Sequence, residues 1–139
     1  MFGVCAETVS HPLVVVSENG RKFVISNARR LNISKVKIDG CVVSDNTTAR
    51  CDYLFEIGEP FTSCLYVELK GKDVAHAFDQ LCETMTLLKN RHNGVVKECH
   101  VVASSIPRIR GGVQGLKIRM LKRHNATLNF HTQQGNLVV

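Results

Sequence analysis

Within five residues, from Leu69 to Val74, the hydrophobic period of this chain changes from two to 3.6. That change limits what the chain can fold into. Before it, Ser63 to Leu69 (SCLYVEL) is short, apolar and rich in strand formers. After it, Val74, Ala77, Phe78, Leu81, Met85 and Leu88 recur along one helical face. A strand that runs straight into an amphipathic helix is the first half of a crossover to a parallel neighbour. Asp73 is placed to cap the helix, and Asn93-Gly94 to end it.

The rest of the pattern surrounds that unit. Strands are predicted over His11 to Val16, Lys22 to Ser26, Ser34 to Val43 and Arg50 to Ile57, with turns at Ser17 to Gly20, Asp45 to Thr48 and Gly58 to Pro60. Val95 to Ala103 follows the helix as another strand. Val113 to Arg123 then has helical spacing through Val113, Leu116, Met120 and Leu121, and Ala126 to His131 closes as a short strand. Hairpins first and a crossover later predict an α/β (α+β) chain: a mixed β-sheet with a crossover helix, then a C-terminal helix and short strand. The 139 residues fit a single domain over 1–139, with no linker or repeat to divide it. No phosphate-binding glycine loop of the GxGxxG or GxxxxGK[ST] type occurs.

Charge is unevenly placed. The net +6 lies wholly in the last 41 residues, where Arg108, Arg110, Lys117, Arg119, Lys122 and Arg123 meet no Asp or Glu. A one-signed segment on a balanced domain points to an anionic partner, with nucleic acid the commonest. No apolar run is long enough to span a membrane, and the opening MFGVCAETVS lacks the parts of a secretory signal, so a cytoplasmic location without membrane contact is expected. None of the six cysteines stands in a CxxC pair or in zinc-ligand spacing, and reduced, structural thiols are expected. The histidines show no HxxxH pattern and are expected at the surface or satisfied. With 6% aromatics and no Trp, a base-stacking platform has little support.

The residues with chemistry stand at the period change. Glu68 and Lys70 are two apart on one strand and so project from one face. Asp52 lies in the preceding strand. If those strands pair, the two carboxylates converge, and such a pair with open water positions suits Mg²⁺ (or Mn²⁺) meeting a phosphate. The backbone carbonyl of Leu69 could add a third hard oxygen ligand, and Lys70 could orient a metal-bound water and stabilise transition-state charge.

Asp52 in RCDYLFEI, with Glu68-Leu69-Lys70 fifteen residues on in LYVELKG, resembles the motif of the PD-(D/E)xK phosphodiesterases. That superfamily includes restriction endonucleases, archaeal Holliday junction resolvases and the nuclease domains of recombination helicases. The resemblance implies a restriction endonuclease-like sheet, metal ligation by Asp52 and Glu68, and a catalytic role for Lys70. Gln80, ten residues after Lys70 in the crossover helix, resembles a glutamine of the recombination-helicase branch. The family's first helix has no convincing counterpart here. The additional acid that many members carry on it would have to come from Glu7, Glu18 or Asp39. Glu56 shares a face with Asp52, and a solvated edge charge is expected there.

The function so implied is a Mg²⁺-dependent nuclease or endonuclease, a hydrolase of nucleic acid for which the resemblance favours DNA and RNA stays the alternative, with Lys72, Arg108, Arg110 and Lys117 holding backbone phosphates. Action on a particular DNA structure would call for a homodimer or a protein partner. The alternative is a catalytically silent nucleic-acid-binding or accessory module on the same fold.

Overall fold

The computed structural model of the chain describes residues 2–69, 73–105 and 112–139. It is a mixed α+β structure whose two sheets lie face to face, with two helices on the outer side of the larger one. In chain order the elements are β1 (Ala6–Val9), β2 (Leu13–Glu18), β3 (Arg21–Ser26), β4 (Ile33–Lys37), β5 (Tyr53–Gly58), β6 (Phe61–Leu69), α1 (Val74–Leu87), β7 (Val96–Ala103), α2 (Gly112–His124), β8 (Ala126–Thr132) and β9 (Gln134–Val138). The larger sheet has the order β1-β4-β5-β6-β7-β8, and the smaller one β2-β3-β9. β5 and β6 form an antiparallel hairpin, whereas β6, β7 and β8 are parallel. α1 and α2 are therefore crossovers between parallel strands; the period change predicts the first of them.

The central strands read as nearly continuous apolar runs because both of their faces are covered. Leu54, Tyr66, Cys99 and Leu128 pack under Phe78, Leu81, Met85 and Met120 of the helices. Phe55, Leu65, Val67 and Val102 alternate with them and meet Val14, Val16, Phe23 and Ile25 of the smaller sheet. Each such side chain contributes roughly 1.5–3 kcal/mol of burial. Asp73 caps α1 by accepting from the His76 N–H at 2.9 Å, and all six residues of the expected α1 stripe are buried.

Several boundaries differ from expectation. α1 stops at Leu87, short of Asn93-Gly94, and a run of turns follows that buries Leu88 and His92. The strand expected to reach Val43 ends at Lys37, because the chain folds back there with Val43 N–H bonded to Ile38 O. β1 and β9 were not anticipated. β1 is only four residues, and β9 (QGNLV) contains glycine and polar side chains. Gly135 is required within β9, since a Cβ there would stand 2.7 Å from the Phe23 ring. Leu121, expected on the buried side of α2, is exposed.

The expectation of six reduced thiols is corrected: Cys5 and Cys41 form a disulfide, with Cα atoms 5.7 Å apart, while Cys51, Cys64, Cys82 and Cys99 are free and buried. The pairing of β1 with β4 brings the two together across 36 residues, a separation with no sequence signature. Disulfides are uncommon in a reducing cytosol, so this bond weighs against the expected cytoplasmic location. Among the described residues, no helix is long and apolar enough to cross a membrane.

Candidate functional site: a carboxylate cluster at the end of the crossover strand

The hairpin register fixes where the acids meet. Tyr53 pairs with Val67, and continuing that register by one residue sets Asp52 beside Glu68. The Leu69 N–H donates to Asp52 Oδ2 at 2.8 Å, which locks the carboxylate against the end of β6. The Asp52 carbonyl accepts from Ile38 N–H at 3.0 Å and Asp39 N–H at 3.3 Å, so the residue is anchored from both sides. Glu68 follows Cys64 and Tyr66 on the helix-facing side of β6 and is completely buried; Asp52 is nearly so.

A third acid arrives from the smaller sheet. Asn19 and Gly20 have φ of 51° and 77°, the two left-handed residues of a tight hairpin turn. That two-residue turn leaves Glu18 as the last residue of β2, where its carboxylate bears on Asp52. Burial pushes the Asp52 carboxyl up to about 6; the Leu69 N–H pulls it down, and Glu18 raises it again by charge and by side-chain hydrogen bonding. Glu68 also hydrogen-bonds with it. Of the three acids considered as additional, Glu18 reaches the cluster. Asp39 is held instead by Arg50 Nε at 2.9 Å, and Glu7 is an exposed residue of β1 facing Lys35 in register.

α1 braces the same segment. Gln80 Nε2 donates to the Arg50 carbonyl at 3.0 Å, and Thr84 Oγ1 accepts from the Cys51 N–H at 2.9 Å while donating to Gln80 O at 2.8 Å. Gln80 and Thr84 thus hold the two residues before Asp52, Arg50 and Cys51 respectively. Gln80 Oε1 is buried with no hydrogen-bond partner among the described residues. Thr84 was not singled out from the sequence; a threonine one turn after a helix glutamine gives no signal of its own.

Lys70, Lys72, Arg108 and Arg110 lie outside the described residues. Lys117 is half-buried on α2. The expectation of a solvated Glu56 is corrected. Glu56 is buried, receives Arg91 Nε at 2.7 Å and Arg91 Nη2 at 2.9 Å, and meets His92 Nε2 at 2.7 Å. His92 Nδ1 in turn bonds with Tyr66 Oη. Among the described residues, no group of three or more His, Cys, Asp or Glu side chains is gathered tightly enough to hold a metal ion unaided. Asp52, Glu68 and the Leu69 carbonyl carry oxygens of the kind a hard cation prefers, and burial, the main cause of the raised Asp52 pKa, disfavours its charged form unless a positive charge stands beside it. Compared with protein-family models, with curated proteins and with solved structures, the chain matches none.

Proposed function

We propose that the chain is a metal-dependent nuclease, hydrolysing phosphodiester bonds of nucleic acid, DNA rather than RNA, on a restriction endonuclease-like sheet of the PD-(D/E)xK type. One observation carries the reading: Asp52, Glu68 and Glu18 converge at the end of the strand before the crossover helix, and Asp52 is pushed up to about 6. Perturbed carboxylates of this kind concentrate at functional sites. Asp52, Glu68 and the Leu69 carbonyl would hold Mg²⁺ or Mn²⁺, with Glu18 the nearest further acid. Such an ion polarises a phosphate and lowers the pKa of bound water. The protein's own part is positioning. The Leu69 N–H orients Asp52, while Gln80 and Thr84 fix the segment that delivers it. Lys70 follows Glu68 by two residues, and its ammonium would orient the attacking water and offset charge on the phosphate oxygens.

Plasmid or oligonucleotide cleavage with Mg²⁺ or Mn²⁺, against EDTA, tests this in the wild type and in Asp52→Asn, Glu68→Gln and Lys70→Ala. Each variant is expected to lose at least about 100-fold in rate, as when one transition-state-stabilising group is removed. Cutting in EDTA, or equal cutting by all three variants, would exclude this site as the source. A folded wild type that binds nucleic acid but cuts with neither metal would leave the catalytically silent module, a reading that the full burial of Glu68 favours.

A further inference from the structure

At the other end of the sheet, the C-terminal turns of α1 and α2 and the starts of β7 and β8 enclose a groove of about 840 Å³. Its walls carry Lys89, Lys97, Lys122, Arg123 and His124, and no Asp or Glu is among its lining residues. Lys89, Lys122 and Arg123 are exposed, and the Lys97 ammonium is fixed by donating to the Val95 carbonyl at 2.9 Å. The cations crowd one another. Burial lowers the proton affinity of His124, and Arg123, Lys97 and Lys89 lower it further by repulsion. Folding has gathered like charges that the free groove leaves unneutralised by any acid in its lining. Asn93, Asn125, Thr86 and Thr127 add hydrogen-bonding side chains.

From this groove we infer a second nucleic-acid contact, which binds the phosphodiester backbone away from the carboxylate cluster. The lining contains no Phe, Tyr or Trp, and its one ring, His124, stands among cations, so the groove suits the sugar–phosphate backbone rather than a run of stacked bases. Val96 lies five residues along β7 from Val101, the residue level with Glu68, which places the groove about 17 Å from the acids. A duplex advances about 3.4 Å per base pair, so roughly five pairs bridge the two sites. Positive charge continues from the groove along α2, where Arg119 stands 4.8 Å over the Phe78 ring. Asp79 joins Arg119 and Arg123 near the Cys82 thiol, so charge is mixed there and the groove is the uniformly basic part. The inference rests partly on the nuclease reading, which makes a polynucleotide the polyanion of choice over an acidic protein. Lys122 and Arg123 belong to the acid-free tail that the sequence marks as basic, whereas Lys89 and Lys97 lie outside it and join them only in the fold.

Fluorescence anisotropy with a labelled 20-base-pair duplex in EDTA separates binding from cleavage. Wild type, Asp52→Asn and the triple variant Lys89→Ala/Lys97→Ala/Lys122→Ala are titrated at several salt concentrations, with thermal melts to confirm folding. The triple variant is expected to bind at least about tenfold more weakly, with the slope of log K against log salt reduced by about two to three, close to 0.9 for each lost phosphate contact. The milder Lys122→Gln should reduce the slope by about one. Asp52→Asn should bind at least as tightly as the wild type, so loss of cutting in that variant leaves the groove untouched. Unchanged affinity and slope in a folded triple variant would overturn the inference. So would competition by poly-glutamate as effective as that of unlabelled duplex, which would mark the groove as a site for acidic protein.

Discussion

Two buried carboxylates on one face of the same strand region, Asp52 and Glu56, have opposite fates. Burial pushes both toward the neutral acid. At Glu56 the push is outweighed by hydrogen bonds from Arg91 and His92 and by the guanidinium charge, which hold the carboxyl at about 2. At Asp52 burial and Glu18 prevail over one backbone N–H and the Glu68 hydrogen bond, with no cation of the described residues among the main causes, and the carboxyl stands at about 6. The guanidinium and imidazole that compensate Glu56 come from the turns after α1, and Phe61 and Phe2 flank the Arg91 guanidinium at 5.3 and 4.8 Å. The difference separates a carboxylate that holds the structure together from one kept at a cost to stability.

The largest effect should come from removing the compensated acid. Glu56→Ala removes the buried carboxylate that Arg91 and His92 share, and breaking a buried pair costs about 3–5 kcal/mol. A loss below about 1 kcal/mol by thermal or urea unfolding at pH 7 would show that the network contributes no more than a surface pair. Asp52→Asn should act in the other direction. With its pKa raised from 3.8 in the unfolded chain to about 6, Asp52 favours the fold fully below pH 3.8, and that contribution is lost as pH rises through 6. Replacing it with a neutral amide should therefore stabilise the protein at pH 7.5, by about 1–3 kcal/mol, while removing cleavage. The gain should vanish below about pH 4. A variant destabilised at pH 7.5 would place Asp52 with Glu56 as a structural acid. Wild-type acid unfolding sharpens the contrast. Glu56 contributes stability above its unfolded value of 4.5 and loses it as pH falls through about 2, so Glu56→Gln should flatten that limb of the stability profile.

How much of this was legible follows from the range over which each signal acts. The change of period at Leu69 announced β6, α1 and β7, because periodicity is local and both faces of the central strands are apolar. Asp52 beside Glu68 was legible too, since a hairpin between consecutive strands is the simplest connection. Glu18 was only one of three alternatives, because its approach depends on packing one sheet over another, and packing has no sequence period. The same holds for Glu56, whose partners lie 35 and 36 residues away in a turn, and for the Cys5–Cys41 bond. The basic groove escaped for a related reason: its cations come from the turns after α1, from β7 and from α2, and only the last stretch stood out by composition.

The smallest expected effect tests what keeps Asp52 in place. Thr84 Oγ1 links the Cys51 N–H to the Gln80 carbonyl, and both bonds are buried. Thr84→Val keeps the shape of the side chain but leaves the Cys51 N–H without its acceptor, a loss of about 1–3 kcal/mol. Asp52 follows Cys51 directly, so the same change should loosen the carboxylate and lower cleavage by about tenfold, out of proportion to the stability lost. Thr84→Ser retains the hydroxyl and should restore cleavage to near the wild-type rate, although the lost methyl costs about 1 kcal/mol. Because the Asp52 pKa depends on its fit against the Leu69 N–H, Thr84→Val should also shift the lower pKa of the cleavage pH profile, whereas Thr84→Ser should not. Equal loss of activity in both variants, with no change in the pH profile, would show that α1 supports the fold at this point without positioning the acid.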